Sequence, residues 1–386
     1  MYNIFLKDRF SEEINKDYLK VGTKNIDGII VNSSKIDEEV INEELLCIVR
    51  SGIGVDTIDI EKSTNNGTVV MNTPGINKSS VTELIILTML LSQRPILSAN
   101  TMINEVHATL EEYDSLQLAS EQRRGPYIGH ELKGKTVGIL GLGSVGSELA
   151  KICHSLNMNV LAYDRNENLE NSYTTRVKLR HIFKESDFVI IVIPLNNDTI
   201  GLVDDYLLSH AKKNCILINF GRAEIVDNKA LLKFIRNREI QTYITDFPVN
   251  ELVDVDNVWM IPHLGGSTVE ARKGGEKQAL KQMEQFLLYG ITENAINFPN
   301  VTDRFSTPFR LTVFYTLQKE DLTVILSTAM AKNLKFDRII NKQKNGYGYL
   351  LLDVLNTELT QLLLVKKELE TLCFIQRIRI IKSIEI

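Results

Sequence analysis

One stretch constrains the fold of this chain more than any other. Residues 138–146 read Gly-Ile-Leu-Gly-Leu-Gly-Ser-Val-Gly, and Gly141, Gly143 and Gly146 make a G-x-G-x-x-G. The apolar run Thr136-Val137-Gly138-Ile139-Leu140 precedes it and reads as a buried strand. Ser147-Glu148-Leu149-Ala150-Lys151-Ile152 follows and reads as the start of a helix. A second strand, Asn159-Val160-Leu161-Ala162-Tyr163, ends on Asp164, about twenty residues further on. A lone glycine motif says little. Strand, glycines, helix, strand and terminal acid in this order point to dinucleotide binding. Gly141 makes the tight turn, Gly143 lets the backbone approach a pyrophosphate, and Gly146 lets the helix pack closely on the strand. The helix start, with Ser144 and Val145, offers free N–H groups and a positive dipole end to phosphates. Asp164 can accept hydrogen bonds from both ribose hydroxyls, and its charge repels a 2′-phosphate. The expected cofactor is therefore NAD rather than NADP.

Composition narrows the setting. The chain has 386 residues, room for two or three domains. A formal net charge of −5 gives no support for nucleic-acid binding or for a basic membrane-facing surface. The longest apolar run, 84–91, is far short of a membrane span. Residues 1–9 lack the apolar region of a signal peptide. The four cysteines, Cys47, Cys153, Cys215 and Cys373, form no C-x-x-C, and three lie in apolar stretches, so buried reduced thiols are expected. No His, Cys, Asp and Glu cluster has metal-ligand spacing, and no metal is expected. A cytoplasmic enzyme acting on a small molecule fits all of this.

Three segments follow one another. The first hundred residues alternate strands, at 28–31, 45–49 and 69–72, with helices, and lead into an apolar helix over 81–92. Residues 105–127 are polar with few breakers and read as a helical connection. The second segment, about 100–270, repeats the alternation around the glycine motif, with later strands at 188–193, 215–219 and 242–245. Near-continuous apolar strands belong to parallel sheets covered on both faces. A helix over about 269–289 follows. The third segment, from near Asn300, reads strand (311–317), helix (322–333), strand (336–341), strand (347–354), helix (357–370), strand (375–381). That βαββαβ order matches a ferredoxin-like unit.

The chemistry concentrates in three short stretches. In Asn219-Phe220-Gly221-Arg222, the arginine sits just past the carboxyl end of a strand, where ligands bind in open α/β sheets. Its guanidinium can grip a carboxylate with two hydrogen bonds and polarise an adjacent carbonyl. The second stretch is Asp246-Phe247-Pro248-Val249-Asn250-Glu251. The third is Pro262-His263-Leu264-Gly265-Gly266, a rigid turn that can present one side chain to a cleft. Of six histidines, only His263 has such a context. A 2-hydroxy acid needs an acid/base near pH 7 to trade its proton, which suits histidine, and a carboxylate such as Glu251 would raise its pKa and orient it.

With these motifs in order, the chain resembles the D-isomer-specific 2-hydroxyacid dehydrogenases over about residues 45–300, and most of all the branch that oxidises 3-phosphoglycerate. The landmarks are Arg50-Ser51-Gly52-Ile53-Gly54-Val55-Asp56, Asn72-Thr73-Pro74-Gly75-Ile76-Asn77, Val81-Thr82-Glu83-Leu84, the Gly141 motif, Pro194-Leu195-Asn196-Asn197-Asp198-Thr199, Asn219–Arg222, Asp246–Glu251, His263–Thr268 and Asn294-Ala295-Ile296-Asn297-Phe298-Pro299. The resemblance implies that Arg222, Glu251 and His263 are catalytic and that Asp246 contacts the nicotinamide amide. It implies cofactor contacts at Thr73, Pro194, Phe220, Gly221, Gly265 and Gly266 besides the glycine motif. It implies that the backbone at Ser51 and Gly52 holds the substrate carboxylate, with Asn77 nearby. Arg50 and Arg124 are the expected cations for a substrate phosphate, the latter by reaching a neighbouring subunit of a homodimer or homotetramer.

The implied fold is α/β with two doubly wound parallel-sheet lobes. A flavodoxin-like substrate lobe (1–98 and 272–300) has a Rossmann-type NAD domain (99–271) inserted in it, and an ACT-like ferredoxin fold (306–386) follows. ACT domains that bind an amino acid usually carry a Pro-Gly pair in their first loop. Here that loop reads Leu317-Gln318-Lys319-Glu320-Asp321-Leu322-Thr323, so it is expected to bind L-serine weakly or not at all, with Glu320 and Asp321 repelling a carboxylate. A dehydrogenase of another D-2-hydroxy acid, or an NAD-sensing protein without turnover, are the alternatives.

Overall fold

Runs of four or five mostly apolar residues become parallel strands because both of their faces are covered, and this decides the architecture. The computed structural model describes all residues except 12–13, 15–16, 111–114, 170, 319–320, 356 and 384–386. Two compact units divide the chain: residues 1–76 with 269–386, and residues 77–268.

The first unit holds a parallel sheet of β1 (Tyr2–Leu6), β2 (Leu19–Val21), β3 (Gly28–Val31), β4 (Cys47–Arg50) and β5 (Val69–Asn72). Its order is β2-β1-β3-β4-β5, the doubly wound flavodoxin-like arrangement. Alternate residues feed opposite faces. Ile29, Ile48 and Val70 enter one cluster, while Ile30, Val49 and Met71 enter another, against Met283 and Phe286 of helix Val269–Tyr289. The strands β1 and β2 extend the sheet beyond the three strands expected from the first hundred residues.

The second unit holds seven parallel strands: β6 (Thr136–Leu140), β7 (Asn159–Tyr163), β8 (Thr175–Arg176), β9 (Phe188–Ile191), β10 (Cys215–Asn219), β11 (Ile240–Thr245) and β12 (Val258–Met260). The order is β12-β11-β10-β9-β6-β7-β8. The chain reverses direction across the sheet between β6 and β9, the switch point at which such sheets bind ligands. Val137, Phe188, Ile190, Ile216 and Ile218 pack on one face; Leu140, Val189, Ile191 and Leu217 pack on the other.

The unit boundaries differ from the sequence expectation. Helix Lys78–Gln93 shares a core with Val137 and Leu149 through Val81, Ile85 and Met89, so the second unit begins at Asn77 rather than at 99. The C-terminal segment is not a free-standing third body. Its strands β13 (Phe309–Thr316), β14 (Lys335–Lys344), β15 (Tyr347–Leu355) and β16 (Ile375–Lys382) form an antiparallel sheet, order β14-β15-β13-β16, with helices Asp321–Ala331 and Leu359–Leu369. Leu311, Val313, Leu350 and Leu352 face those helices. Phe314, Tyr349 and Leu351 face the other way and join the core of the first lobe with Phe286 and Phe298. The sheet is thus covered on both sides.

Arginines secure that second face. Arg310, fully buried, pairs with the equally buried Asp353 at 2.6 and 3.1 Å, and its Nη1 donates to the carbonyls of Tyr289 and Asp303. Arg379 donates to the carbonyls of Phe286 and Leu287. Both arginines satisfy carbonyls at the carboxyl end of helix Val269–Tyr289, where cations suit the helix dipole. Cys47, Cys153 and Cys215 are buried, with thiols pushed up to about 12 by desolvation, and Cys373 is exposed; all four are free. Among the described residues no single helix is long and apolar enough to cross a membrane.

Removing one partner of the buried pair should be costly. Among the described residues, Arg310→Ala leaves the Asp353 carboxylate with Arg338, 3.2 Å away, as its remaining counter-charge. We expect a loss of about 3 kcal/mol, the lower end for a broken buried pair, measured by urea unfolding. Stability equal to the parent's would show that the pair does not hold the sheet in place.

Candidate active site

The glycine loop joins β6 to helix Ser144–Ser155. Gly141 has φ +103°, and a Cβ there would stand 3.0 Å from the Val192 carbonyl oxygen. At Gly146 a Cβ would meet the Gly141 carbonyl oxygen at 1.9 Å, so only glycine allows the helix to come this close. Gly143 differs. It has an ordinary negative φ of −65° at the helix N-cap, and nothing lies within 4 Å of where its Cβ would be. The protein's own packing does not require a glycine there. The room it leaves, in front of the helix N-terminus opened by Ser144 and Val145, fits a pyrophosphate. Asp164, just beyond β7, accepts from the Leu142 N–H with Oδ2 and from the Asn166 N–H with Oδ1, both at 2.8 Å. The acid is thereby tied to the glycine loop itself. Each oxygen keeps a lone pair for a ribose hydroxyl.

The loops after β9 and β10 touch. A Cβ on Gly221 would lie 2.7 Å from the Ile193 carbonyl oxygen, next to Pro194, whose own carbonyl accepts from the Thr199 hydroxyl. Phe220 is buried in the core beneath. Arg222 follows in extended backbone (φ −151°, ψ 154°), and its Nη1 donates to the Gly221 carbonyl at 2.8 Å. One buried side chain shapes this loop. Asn219, the last residue of β10, accepts from the Gly221 N–H at 3.0 Å and donates to the Arg222 carbonyl at 2.8 Å and to the Tyr243 hydroxyl at 3.2 Å.

The histidine turn is held by a carboxylate. Asp246 accepts from the N–H groups of Leu264 (2.7 Å) and Gly265 (2.8 Å). Burial pushes its carboxyl above the usual range, opposed by those two amides and by the charge of His263. A Cβ on Gly265 would meet Asp246 Oδ2 at 2.8 Å. His263 itself has φ +52°, the left-handed region, and presents its imidazole to the exterior. Its ring centroid lies 4.7 Å from that of Phe247, and the Arg222 guanidinium lies 5.1 Å from the same Phe247 centroid. Residues 222, 247 and 263 therefore meet on one aromatic ring. Gly266 abuts Asn77, whose Oδ1 is buried and has no hydrogen-bond partner among the described residues.

Several sequence expectations change. Glu251 lies exposed in the turn Asn250–Leu252, and its carboxylate makes no hydrogen bond or ion pair with the described residues, so it does not orient His263 here. The Asp246 clasp holds the backbone of the turn, and Phe247 packs against the imidazole. Both oxygens of Asp246 are engaged by the histidine turn, a role that a nicotinamide contact alone would not suggest. In the first unit, the Ser51 N–H donates to the Val31 carbonyl and the Gly52 N–H to Thr73 Oγ1, at 2.8 and 2.7 Å. These amides, and the buried Thr73 hydroxyl, shape the loop. Arg50 lies against Gly52 and donates from Nε to the Asn32 carbonyl. Arg124 caps helix Leu116–Arg123 and is exposed. Sequence reasoning missed Asn219 and Phe247. The signal for Asn219 was a single polar residue ending an apolar strand; Phe247 carried none.

Among the described residues no group of three His, Cys, Asp or Glu could hold a metal. The family described as D-isomer specific 2-hydroxyacid dehydrogenase, NAD binding domain, matches residues 96–265. The D-3-phosphoglycerate dehydrogenase of Methanocaldococcus jannaschii is 31% identical over 301 residues, 75% of this chain and 55% of the relative. The glyoxylate reductase of Pyrococcus horikoshii is 30% identical over 298 residues, 74% of this chain and 87% of the relative. A solved 3-phosphoglycerate dehydrogenase of Entamoeba histolytica with NAD+ bound superposes with a TM-score of 0.60 at 27% identity, covering 77% of this chain and 98% of the other. The chain spans about half the length of the curated phosphoglycerate enzymes it matches first.

Two outcomes test this geometry. The protein should prefer NAD to NADP in kcat/KM, and Asp164→Ala should reduce that preference, because the repelling carboxylate is gone while Arg165 and Arg176 stay beside the site. Equal kcat/KM for both cofactors in the unaltered protein would refute the role of Asp164. Asn219→Ala should raise KM for the hydroxy acid about tenfold, roughly one lost hydrogen bond, with NADH affinity by fluorescence titration unchanged.

Proposed function

Because the chain belongs to the D-isomer-specific 2-hydroxyacid dehydrogenases, a family of NAD-dependent oxidoreductases, we propose that it oxidises D-3-phosphoglycerate to 3-phosphohydroxypyruvate, the entry to serine synthesis. The observation that carries a catalytic reading is the convergence of Arg222 and His263 on Phe247, at the carboxyl edge of the sheet that carries the glycine loop. A protein that only sensed NAD would need the loop but not a guanidinium and an imidazole on one aromatic ring.

NAD would be held by the Gly141–Gly146 loop and Asp164 and would supply the hydride acceptor. The protein's residues do the rest. Neutral His263 accepts the hydroxyl proton at an imidazole nitrogen as the carbonyl forms. Arg222 binds the carboxylate in a bidentate grip and stabilises charge growing on the carbonyl oxygen. Asp246 keeps the histidine turn closed. Glu251, uncommitted in its exposed turn, is the carboxylate we assign to the developing imidazolium; such bonds often tighten only with substrate present.

The phosphorylated substrate is supported by the names of several relatives. Glyoxylate reductases among the relatives support the second reading, an unphosphorylated 2-hydroxy acid. Reduction of NAD by a panel of D-2-hydroxy acids, with and without a phosphate, separates the two. His263→Ala should lower kcat at least about a hundredfold, the scale for a lost general base, while NADH still binds. Near-parent turnover would remove His263 from the reaction.

For the C-terminal ferredoxin-like sheet we propose an ACT-like role in joining subunits into a homo-oligomer, without serine control. Glu320 lies outside the described residues. Asp321 is not an exposed repelling charge: it is buried, and accepts from the N–H groups of Gln318 and Leu322. It closes the loop on itself, which leaves the absence of a Pro-Gly pair as the ground for weak binding. Calorimetric titration of L-serine into the full chain should show no saturable micromolar binding. The full chain is needed because the sheet's second face belongs to the core of the first unit.

A further inference from the structure

We propose that Phe247 is a positioning residue that sets the orientation of His263 and Arg222 toward each other, and that it does so through its aromatic ring. The proposal rests on the roles given above to those two residues.

Three observations carry it. The first is contact: the imidazole centroid is 4.7 Å from the Phe247 centroid with the planes tilted by 49°, and the Arg222 guanidinium carbon is 5.1 Å from that centroid. Both distances lie within the range in which an aromatic ring attracts a second ring or a cation. The second is rigidity. The Phe247 N–H donates to Thr245 Oγ1 at 3.1 Å, Thr245 is buried at the end of β11, and Pro248 restricts Phe247 to extended backbone. The preceding residue, Asp246, is clamped to Leu264 and Gly265. The ring stands on a fixed base. The third is need. The His263 backbone is set by its N–H bond to the Ile261 carbonyl and by its left-handed φ, but its side chain is exposed. Glu251 does not engage it in this structure. Phe247 is a packed surface against which the imidazole rests.

The ring is suited to the chemistry as well as to the geometry. When His263 takes a proton it becomes a cation, and the electron-rich face of Phe247 favours that form. Among the described groups of this segment, the Asp246 carboxylate favours the imidazolium and the Arg222 guanidinium on the same ring opposes it, while Glu251 stands in the exposed turn. One aromatic ring thus contacts both the guanidinium and the imidazole.

The test compares Phe247→Leu, which keeps apolar bulk without the ring, with Phe247→Tyr, which keeps the ring. In turnover of the best hydroxy acid, Phe247→Leu should lower kcat about tenfold and shift the limb of the pH profile that belongs to the histidine toward lower pH. NADH affinity and melting temperature should match the parent, and Phe247→Tyr should restore kcat to within about twofold. A readout independent of turnover is the proton and nitrogen NMR titration of the His263 imidazole in the full chain, assigned with His263→Gln. The ring-current displacement of its signals should vanish in Phe247→Leu, its pKa should fall, and Phe247→Tyr should retain both. If the His263 titration is the same in parent and Phe247→Leu, or if Phe247→Tyr behaves like Phe247→Leu, the proposal is overturned. If the NMR outcome is as expected while no hydroxy acid is turned over, it is the proposed reaction that fails, and the positioning of His263 by Phe247 stands.

Discussion

Parallel pairing places the carboxyl ends of β6, β9, β10, β11 and β12 along one edge of a sheet, and every candidate group of the second unit depends on that constraint. The middles of β6, β9 and β10 are buried on both faces and can carry no chemistry. Their ends are the only positions that are both rigid and open. The glycine loop leaves β6, Pro194 lies past β9, Arg222 past β10, Phe247 past β11 and His263 past β12. More than a hundred residues separate the first of these from the last in sequence. They become neighbours because adjacent strands are held at hydrogen-bonding distance.

A common device fixes the loops that leave this edge. A polar side chain at or just after the last residue of a strand turns back onto the main chain of a loop. Asp164 holds the Leu142 amide, Asn219 holds Gly221 and Arg222, Thr245 holds the Phe247 amide, and Asp246 holds Leu264 and Gly265. Burying such groups is costly unless they are paired, so each satisfied set favours one loop conformation over the alternatives. This explains how His263 can remain in left-handed backbone: the clasp on the two following residues compensates a local strain on the order of 1 kcal/mol.

The C-terminal sheet follows a different logic. Antiparallel strands usually leave one face to solvent, yet β13 and β15 are buried on both. One face meets its own two helices, and the other meets the lobe through Phe314, Tyr349 and Leu351. Arg310 and Arg379 bridge this contact by meeting carbonyls at the end of helix Val269–Tyr289. The sheet is built into the lobe, so a perturbation of it acts on that helix.

What the sequence by itself determined was local. Strand periodicity, the spacing of Gly141, Gly143 and Gly146, Asp164 at the end of its strand, and the βαββαβ order could all be seen along the chain, because each depends on neighbours within about thirty residues. Arg222 and His263 were legible because they stand in turns at strand ends. The short strands β1 and β2, the boundary at Asn77, and the second covered face of the C-terminal sheet were decided by packing partners distant in sequence. So were the finer facts of the site. That the Ser51 and Gly52 amides are used internally follows from Val31 and Thr73 lying beside them. That His263 leans on Phe247 and not on Glu251 follows from where two loops meet in space. A side chain's type can be read from the sequence, but which of several candidate partners it meets is settled only when the sheet brings them within contact distance.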